Sequence, residues 1–405
     1  MRLRSAVVLR PRAQLDEQPA THDVIVIGAG PAGLHTASLT AEAGLDVVVL
    51  EEHDAIGVPT HCTGIVSGET NHLYKIPQHI VLNRPLSCHV ISPGGHVAEL
   101  EDPGEEIAVI DRAAFDRALA ASVVDAGGVV RTRCRVDQVR NGDRFVEVET
   151  SEGERLRARA LVLACGVTYR FHALLGSRLP SPILHTAQLE VAATPGGPLE
   201  VHAGRCVAPE GFAWLVPFRR GERSYLKVGA LLRGDASGYL QRFLARPAVA
   251  ARLQEVPGEP IRRLLPLAPV ARSYASRLVA VGDAAGLTKP VTGGGIFYSL
   301  VSAQLAAETL IEALAENDLS AGRLAAYEVR WRERLMPEIR TSRRFRECLA
   351  HLGDHEWDRL VAALASNEVQ ALIKRRARFN WHSPLITSML GQPGIKSILI
   401  RSFLR

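Results

Sequence analysis

Gly28, Gly30 and Gly33 form a G-x-G-x-x-G turn between an apolar run at residues 24–27 and a helical stretch reaching to about residue 43. At that spacing Gly28 allows a sharp turn, Gly30 lets the backbone approach a pyrophosphate, and Gly33 lets the new helix lie close to a sheet. Pro31 and Ala32 open the helix, whose free N–H groups and partial positive charge suit phosphates. A second apolar run ends in Glu51, placed where an acid accepts the ribose hydroxyls of an adenosine; Glu52 is the alternative one residue on. Far along the chain Asp283 closes another apolar run, and Gly293, Gly294, Gly295 and Ile296 open a long helix. A carboxylate there can accept ribityl or ribose hydroxyls, and the glycine amides can stabilise negative charge near N1 and O2 of a reduced isoalloxazine. An NAD site needs only the first turn, so the two ends together predict non-covalent FAD.

After Glu51 the helix and strand rhythm gives way to residues 56–67, a loop dense in glycine and small polar side chains that holds His61 and Cys62. Loops leaving the end of a parallel strand face the ligand. His61 is a titratable group in this loop, and Cys62 reads either as a neighbour of the reacting atoms or as a packed thiol. The six cysteines, at 62, 88, 134, 165, 206 and 348, show neither a C-x-x-C pair nor zinc spacing. They read as structural thiols of a reducing cytoplasm, with no metal site expected.

The elements that must hold these groups follow an α/β pattern. Residues 109–110 end a strand, and Asp111 caps a helix with Phe115, Leu119 and Val123 on one side. Residues 129–136 and 145–148 read as a small meander turning at Asn141-Gly142, and 160–164 as a buried strand running into Cys165-Gly166. Two excursions interrupt this core. Short alternating runs fill 81–97, and strand-like runs at 199–201, 213–218 and 224–232 with one helical segment near 238–253 fill the second. The expected architecture is α/β: a Rossmann-type FAD-binding domain from 20–55, 105–166 and 275–320, an inserted antiparallel β-sheet substrate domain from 56–104 and 167–274, and a C-terminal helical region, 321–405. Val136 and Gly166 complete the expected cofactor-binding set.

Composition sets outer bounds. The 405 residues are 47% hydrophobic with a net charge of +5, as in a folded globular protein. The longest apolar stretch, near 296–307, is soon broken by Glu308 and Glu312, so no membrane span is expected. The arginines are spread without aromatic interleaving, which argues against a nucleic-acid partner. The first 22 residues carry Arg2, Arg4, Arg10 and Arg12 around a short apolar patch and read as a loosely held leader. In the tail, Ile395, Ile398, Leu399, Ser402 and Phe403 share one helical side, with Lys396, Arg401 and Arg405 elsewhere. That face either completes a core or lies peripherally on a bilayer.

The chain resembles the FAD-dependent geranylgeranyl reductase family, in the fold group of p-hydroxybenzoate hydroxylase. The resemblance spans most of 22–315 and rests on the glycine turn, Cys62-Thr-Gly, Asp111-Arg112, Val281-Gly-Asp-Ala-Ala-Gly-Leu and Thr292-Gly-Gly-Gly-Ile. It includes Pro209-Glu-Gly-Phe-Ala-Trp-Leu-Val-Pro217, similar to P-x-x-Y-x-W-x-F-P, with Phe212 for the tyrosine and Val216 for the phenylalanine. It implies Arg112 on the dinucleotide, whose guanidinium fork suits a pyrophosphate. It also implies Phe212, Trp214 and Pro217 in an apolar substrate wall, and Cys62 beside the flavin as proton donor or wall. The implied activity is reduction of C=C bonds of a prenyl chain by hydride from reduced flavin. NADPH or a reduced electron-transfer protein would be the donor. Many flavin hydroxylases of the group carry Asp-Gly where this chain has Cys165-Gly166, so nicotinamide access is the weaker part of that implication. One alternative is a flavin monooxygenase or halogenase acting on a small aromatic or apolar substrate, because the same segment resembles W-x-W-x-I-P without its first tryptophan. That chemistry requires a lysine by the tunnel, and Lys75, the nearby one, is expected at the surface. A protein that binds flavin and prenyl chains without turnover is the third reading.

Overall fold

The computed structural model describes residues 22–101, 104–176 and 178–403. The expected leader lies outside the described residues except for His22, which begins the first strand. That strand, His22–Ile27, is flanked in parallel by Arg155–Leu163 and Val47–Leu50, with Ile27 paired to Leu163 and Leu50. Leu278–Ala280 and Val129–Arg131 extend the parallel sheet on its two sides. Val24, Val26, Val49, Leu161 and Val162 are fully buried. Such continuous apolar runs mark parallel strands covered on both faces. The helices Pro31–Glu42 and Ile296–Ala315 pack against each other on this core.

Local chemistry explains the boundaries. Asp111 accepts a hydrogen bond from the Ala114 N–H at 2.9 Å and caps the helix Arg112–Asp125. The expected meander differs: Val129–Arg131 belongs to the parallel sheet, and a turn through Arg133 at φ 54° separates it from Val136–Asn141. Only Val136–Asn141 and Val146–Thr150 form the antiparallel flap, which hangs on Arg155–Leu163.

The second layer is a seven-stranded sheet in the order Ile261–Pro266, Ile183–Ala192, Arg223–Leu232, Phe212–Arg220, Leu199–His202, Ser87–Ile91, Val97–Glu101. It is antiparallel except where Leu199–His202 runs parallel to Ser87–Ile91, the seam between the two chain excursions. A three-stranded sheet of Ile65–Val66, Ala108–Ile110 and Val81–Asn83 bridges the layers.

Beyond residue 320 come helices Ala321–Ala350, Asp354–Leu364, Asn367–Arg376, Ser383–Leu390 and Pro393–Phe403. Their shared core includes Leu360, Ile373, Met389, Ile395, Ile398 and Leu399, together with Ala98 of the sheet. Ile395, Ile398 and Leu399 are at most 3% exposed. Ile395, Ile398 and Leu399 of the tail's expected apolar face therefore complete a core, while the side chains of Ser402 and Phe403 lie outside the described ones. Among the described residues no helix is long and apolar enough to cross a membrane.

Candidate active site

One cavity of about 1280 Å³ runs between the layers. Drug-sized ligands occupy pockets of roughly 300–1,000 Å³, so this one has room for a dinucleotide and a further molecule. Its wall contains Gly28, Gly30, Pro31, Ala32, Glu51, Glu52, Arg112, Val136, Gly166, Asp283, Gly293, Gly294, Gly295 and Ile296, together with His61, Cys62, Phe212 and Trp214. Residues separated by more than 250 positions in sequence are thus brought to one surface.

The glycine turn has the form its sequence predicts. Gly28 sits at φ +106°, and a Cβ there would lie 2.4 Å from the Ala164 carbonyl oxygen. Gly33 stays out of the cavity because it packs beneath the turn: a Cβ there would come 2.1 Å from the Gly28 oxygen. At Gly30 a Cβ would meet nothing within 4 Å. The open space begins where a pyrophosphate must approach the backbone, so the cradle fits a dinucleotide. Glu51 Oε2 accepts from the Ala29 N–H at 2.8 Å, and Oε1 accepts from the His53 N–H at 3.0 Å. A carboxylate has further lone pairs, so Glu51 fixes the turn and remains able to receive ribose hydroxyls.

Asp283 lies on the opposite wall, 3.1 Å from where a Cβ on Gly295 would stand. Burial pushes its carboxyl up to about 6, partly opposed by Arg112. Arg112 donates from Nε and an Nη to the two Asp116 oxygens at 2.8 and 3.2 Å. Burial works against its charge, but Asp116 and Cys62 beside it outweigh this and hold its pKa above the ordinary range.

The Cys62 loop is clamped from both sides. Cys62 Sγ accepts from the Gly64 N–H at 3.3 Å, and the Gly64 oxygen accepts from the Ile110 N–H at 2.8 Å. Lys227, 1% exposed, donates from Nζ to the Thr63 oxygen at 2.9 Å and the Ile110 oxygen at 3.3 Å. Thr63 Oγ1 donates to Gln188 Oε1 at 2.9 Å. His61 is exposed at the rim. Desolvation by the surrounding wall, then Arg112 and Arg263, keeps its imidazole below the usual range, so it is neutral at pH 7.

Phe212–Arg220 shows which side of a strand meets the site. Phe212, Trp214 and Val216 line the cavity, whereas Ala213 and Leu215 pack into the core behind the sheet with Leu240 and Phe243. Side chains alternate along a strand. Pro217 therefore does not line the cavity, which corrects its expected place, and Val216 takes that role. The rest of the apolar wall includes Leu199 and Val201 from the sheet and Phe345, Leu360, Leu364 and Met389 from the C-terminal helices.

Residues 73–293 match the profile of the FAD dependent oxidoreductase family, and residues 26–89 that of the NAD(P)-binding Rossmann-like domain. The digeranylgeranylglycerophospholipid reductase of Methanosarcina acetivorans is 30% identical over 398 residues, covering 89% of this chain and 95% of that protein. A second such reductase, from Methanopyrus kandleri, is 32% identical over 380 residues, covering 87% and 92%. The chain belongs to the FAD-dependent geranylgeranyl reductase family. A geranylgeranyl bacteriochlorophyll reductase-like protein from Thermoplasma acidophilum has the same fold, with a TM-score of 0.82 at 23% identity over 95% of this chain and 99% of that one. A halogenase solved with phloroglucinol and FAD shares the fold more distantly, with a TM-score of 0.68 at 16% identity over 94% and 90%. Lys75, the lysine on which a halogenase reading would depend, is exposed and outside the cavity wall.

For a geranylgeranyl reductase fold, three contributors were not visible in sequence motifs: Lys227, Lys289 and the wall from 345–389.

Proposed function

We propose that this protein is an FAD-dependent reductase of C=C bonds in a prenyl chain, supplied with electrons by NADPH or a reduced electron-transfer protein. The observation that carries the reading is the continuity of the cavity. One wall holds the dinucleotide turn, Arg112, Asp283 and the 293–295 glycines, and the same space is walled by Phe212, Trp214 and the aliphatic side chains of the C-terminal helices. A flexible isoprenoid buries apolar surface at roughly 25 cal/mol per Å², so such a wall favours it over a polar substrate.

Gly30, Arg112, Glu51 and Asp283 would hold the cofactor, and when bound and reduced it supplies the hydride. The protein's own task is to deliver the proton to the other alkene carbon and to keep water from the reacting atoms. Cys62 Sγ is the assigned donor. Arg112 and Lys227 lie near Cys62, two cations that would face the charge left on sulfur when the proton departs. Solvent would then return the proton past the exposed His61.

The test is anaerobic. Purified protein is reduced with dithionite, mixed with a geranylgeranyl-bearing lipid, and followed by flavin absorbance and product mass. Alkene-dependent reoxidation with gain of two hydrogens per double bond is expected. Product formed only after oxygen is admitted would favour the monooxygenase, and no reaction in either condition the binder.

A further inference from the structure

Lys289 is 3% exposed yet lines the cavity. Its Nζ donates to the Phe379 oxygen and to Asn380 Oδ1, both at 3.1 Å, and lies 4.0 Å from the Phe379 ring centroid. Both hydrogen-bond acceptors are neutral. The ammonium also lies against the glycine turn: a Cβ on Gly294 would stand 2.7 Å from Cε and 3.3 Å from Nζ. The backbone closes the same loop, the Lys289 N–H donating to the Gly294 oxygen at 3.0 Å and the Gly293 N–H to the Lys289 oxygen at 2.8 Å. A buried cation whose hydrogen-bond acceptors are neutral, with Glu338 and Glu69 acting on it only through space, is costly to keep. A new negative charge on the far side of Gly294 would lower that cost.

We propose that Lys289 is the countercharge of the reduced flavin, binding a proton as the ring edge over the Thr292–Gly295 turn becomes anionic. The inference rests on the FAD reading above. In the balanced step, two electrons from dithionite or a nicotinamide donor reduce the flavin, which takes up one proton and retains one negative charge. The neutral fraction of Lys289 takes a second proton from solvent. Burial lowers the Lys289 ammonium to about 7, against the raising effect of Glu338 and Glu69. An anion nearby raises it again, so extra proton uptake belongs to the window above pH 7.

Charged and titratable groups from several elements surround Lys289. Glu69 and Glu338 face Lys289 from the turn Gly68–His72 and the helix Ala321–Ala350. His382 is pushed down to about 4 by burial and then by Lys289, and burial holds the Tyr298 hydroxyl above its ordinary range. Burial lowers Arg346, whose Nη1 donates to the Pro290 oxygen, to about 10. Burial raises the Asp283 carboxyl to about 6, and comparing the parent with Lys289→Arg, which keeps Asp283, cancels its contribution to the slope.

Spectroelectrochemistry of the holoprotein between pH 6 and 9 is the test. For a two-electron couple each tenfold change is about 30 mV, so one extra proton steepens the potential by about 30 mV per pH unit. The parent should show that steeper slope above pH 7. Lys289→Met should lose it and bind reduced flavin at least tenfold less favourably relative to oxidised flavin at pH 6. Lys289→Arg, with a fixed charge, should keep the potential at pH 6 but lose the added slope. Equal slopes in parent and Arg variant overturn the proposal, and that comparison decides it even where the Met variant does not fold. A parent protein that accepts no FAD overturns the cofactor reading instead.

Discussion

Replacing Gly30 with glutamate separates cofactor binding from folding. Gly30 has φ −82° and ψ 176°, a conformation open to any residue, and its Cβ direction meets nothing within 4 Å. The new side chain enters the space reserved for the pyrophosphate without disturbing the wall. Its carboxylate also sits at a helix N-terminus, where negative charge is tolerated or mildly favoured. Apo-protein stability should therefore stay within about 0.5 kcal/mol of the parent, the range of substitutions that touch no packed feature. Binding behaves differently. Two like charges about 4 Å apart at an effective dielectric of about 20 repel by about 4 kcal/mol, close to a thousandfold in Kd at 1.4 kcal/mol per decade. Flavin absorbance of the purified variant, fluorescence titration with FAD and thermal unfolding of both apo-proteins give the answer. Gly33→Ala supplies the contrast, since its Cβ would come 2.1 Å from the Gly28 oxygen and must shift backbone; it should unfold earlier as well as bind poorly. Full flavin occupancy in Gly30→Glu would refute the assignment of the turn.

Cys62→Ala should retain flavin and lose at least a hundredfold in prenyl turnover, the lower end of what a positioned general acid contributes, about 10²–10⁴; parental turnover would make Cys62 a packing residue. Asp283 has its folded pKa raised to about 6, so its own contribution to apo-protein stability is full below about pH 4, and up to about 3 kcal/mol of it is lost as pH rises through 6. Apo Asp283→Asn should lack that loss, and parallel pH profiles for the two proteins would contradict the burial argument. Ile398→Ala should destabilise the protein by about 2–5 kcal/mol, as for other buried aliphatic truncations, leaving vesicle sedimentation unchanged; an unaltered unfolding temperature would detach the tail from the core.

Local features were readable in the sequence and long-range ones were not. The glycine turn, the cap at Asp111 and the 293–295 glycines each follow from a few adjacent residues whose backbone demands are specific. Val129–Val136 failed as one strand because Arg133 adopts φ 54° and the Cys134 N–H turns to the Glu51 oxygen. No composition rule predicts that break. Pro217 was misplaced although period-two alternation from Phe212 and Trp214 already puts it on the other face. Lys289 was illegible for a different reason. An isolated lysine is ordinarily solvated, and its burial depends on Phe379 and Asn380, some 90 positions later.

Those same distant residues make the C-terminal helices part of the cavity wall. Asn380 Nδ2 donates to Ser67 Oγ and Glu69 Oε2, both at 2.9 Å, and Trp381 Nε1 donates to Glu69 Oε1 at 2.8 Å. The His382 and Ser383 N–H groups donate to the two Glu338 oxygens, each at 2.8 Å. One segment, 380–383, thus ties the turn after the Cys62 loop to the long helix Ala321–Ala350, while Lys289 ties it to the glycine turn. Phe345, Leu360 and Met389, on the helices fixed by this network, close the apolar side of the cavity. Hydride transfer to an unactivated alkene needs that closure, because water at the reduced ring would compete for protons and weaken each fixed charge. Here the chain's two candidate reacting walls, at Cys62 and at Gly294, are held in register by the residues that shut out solvent.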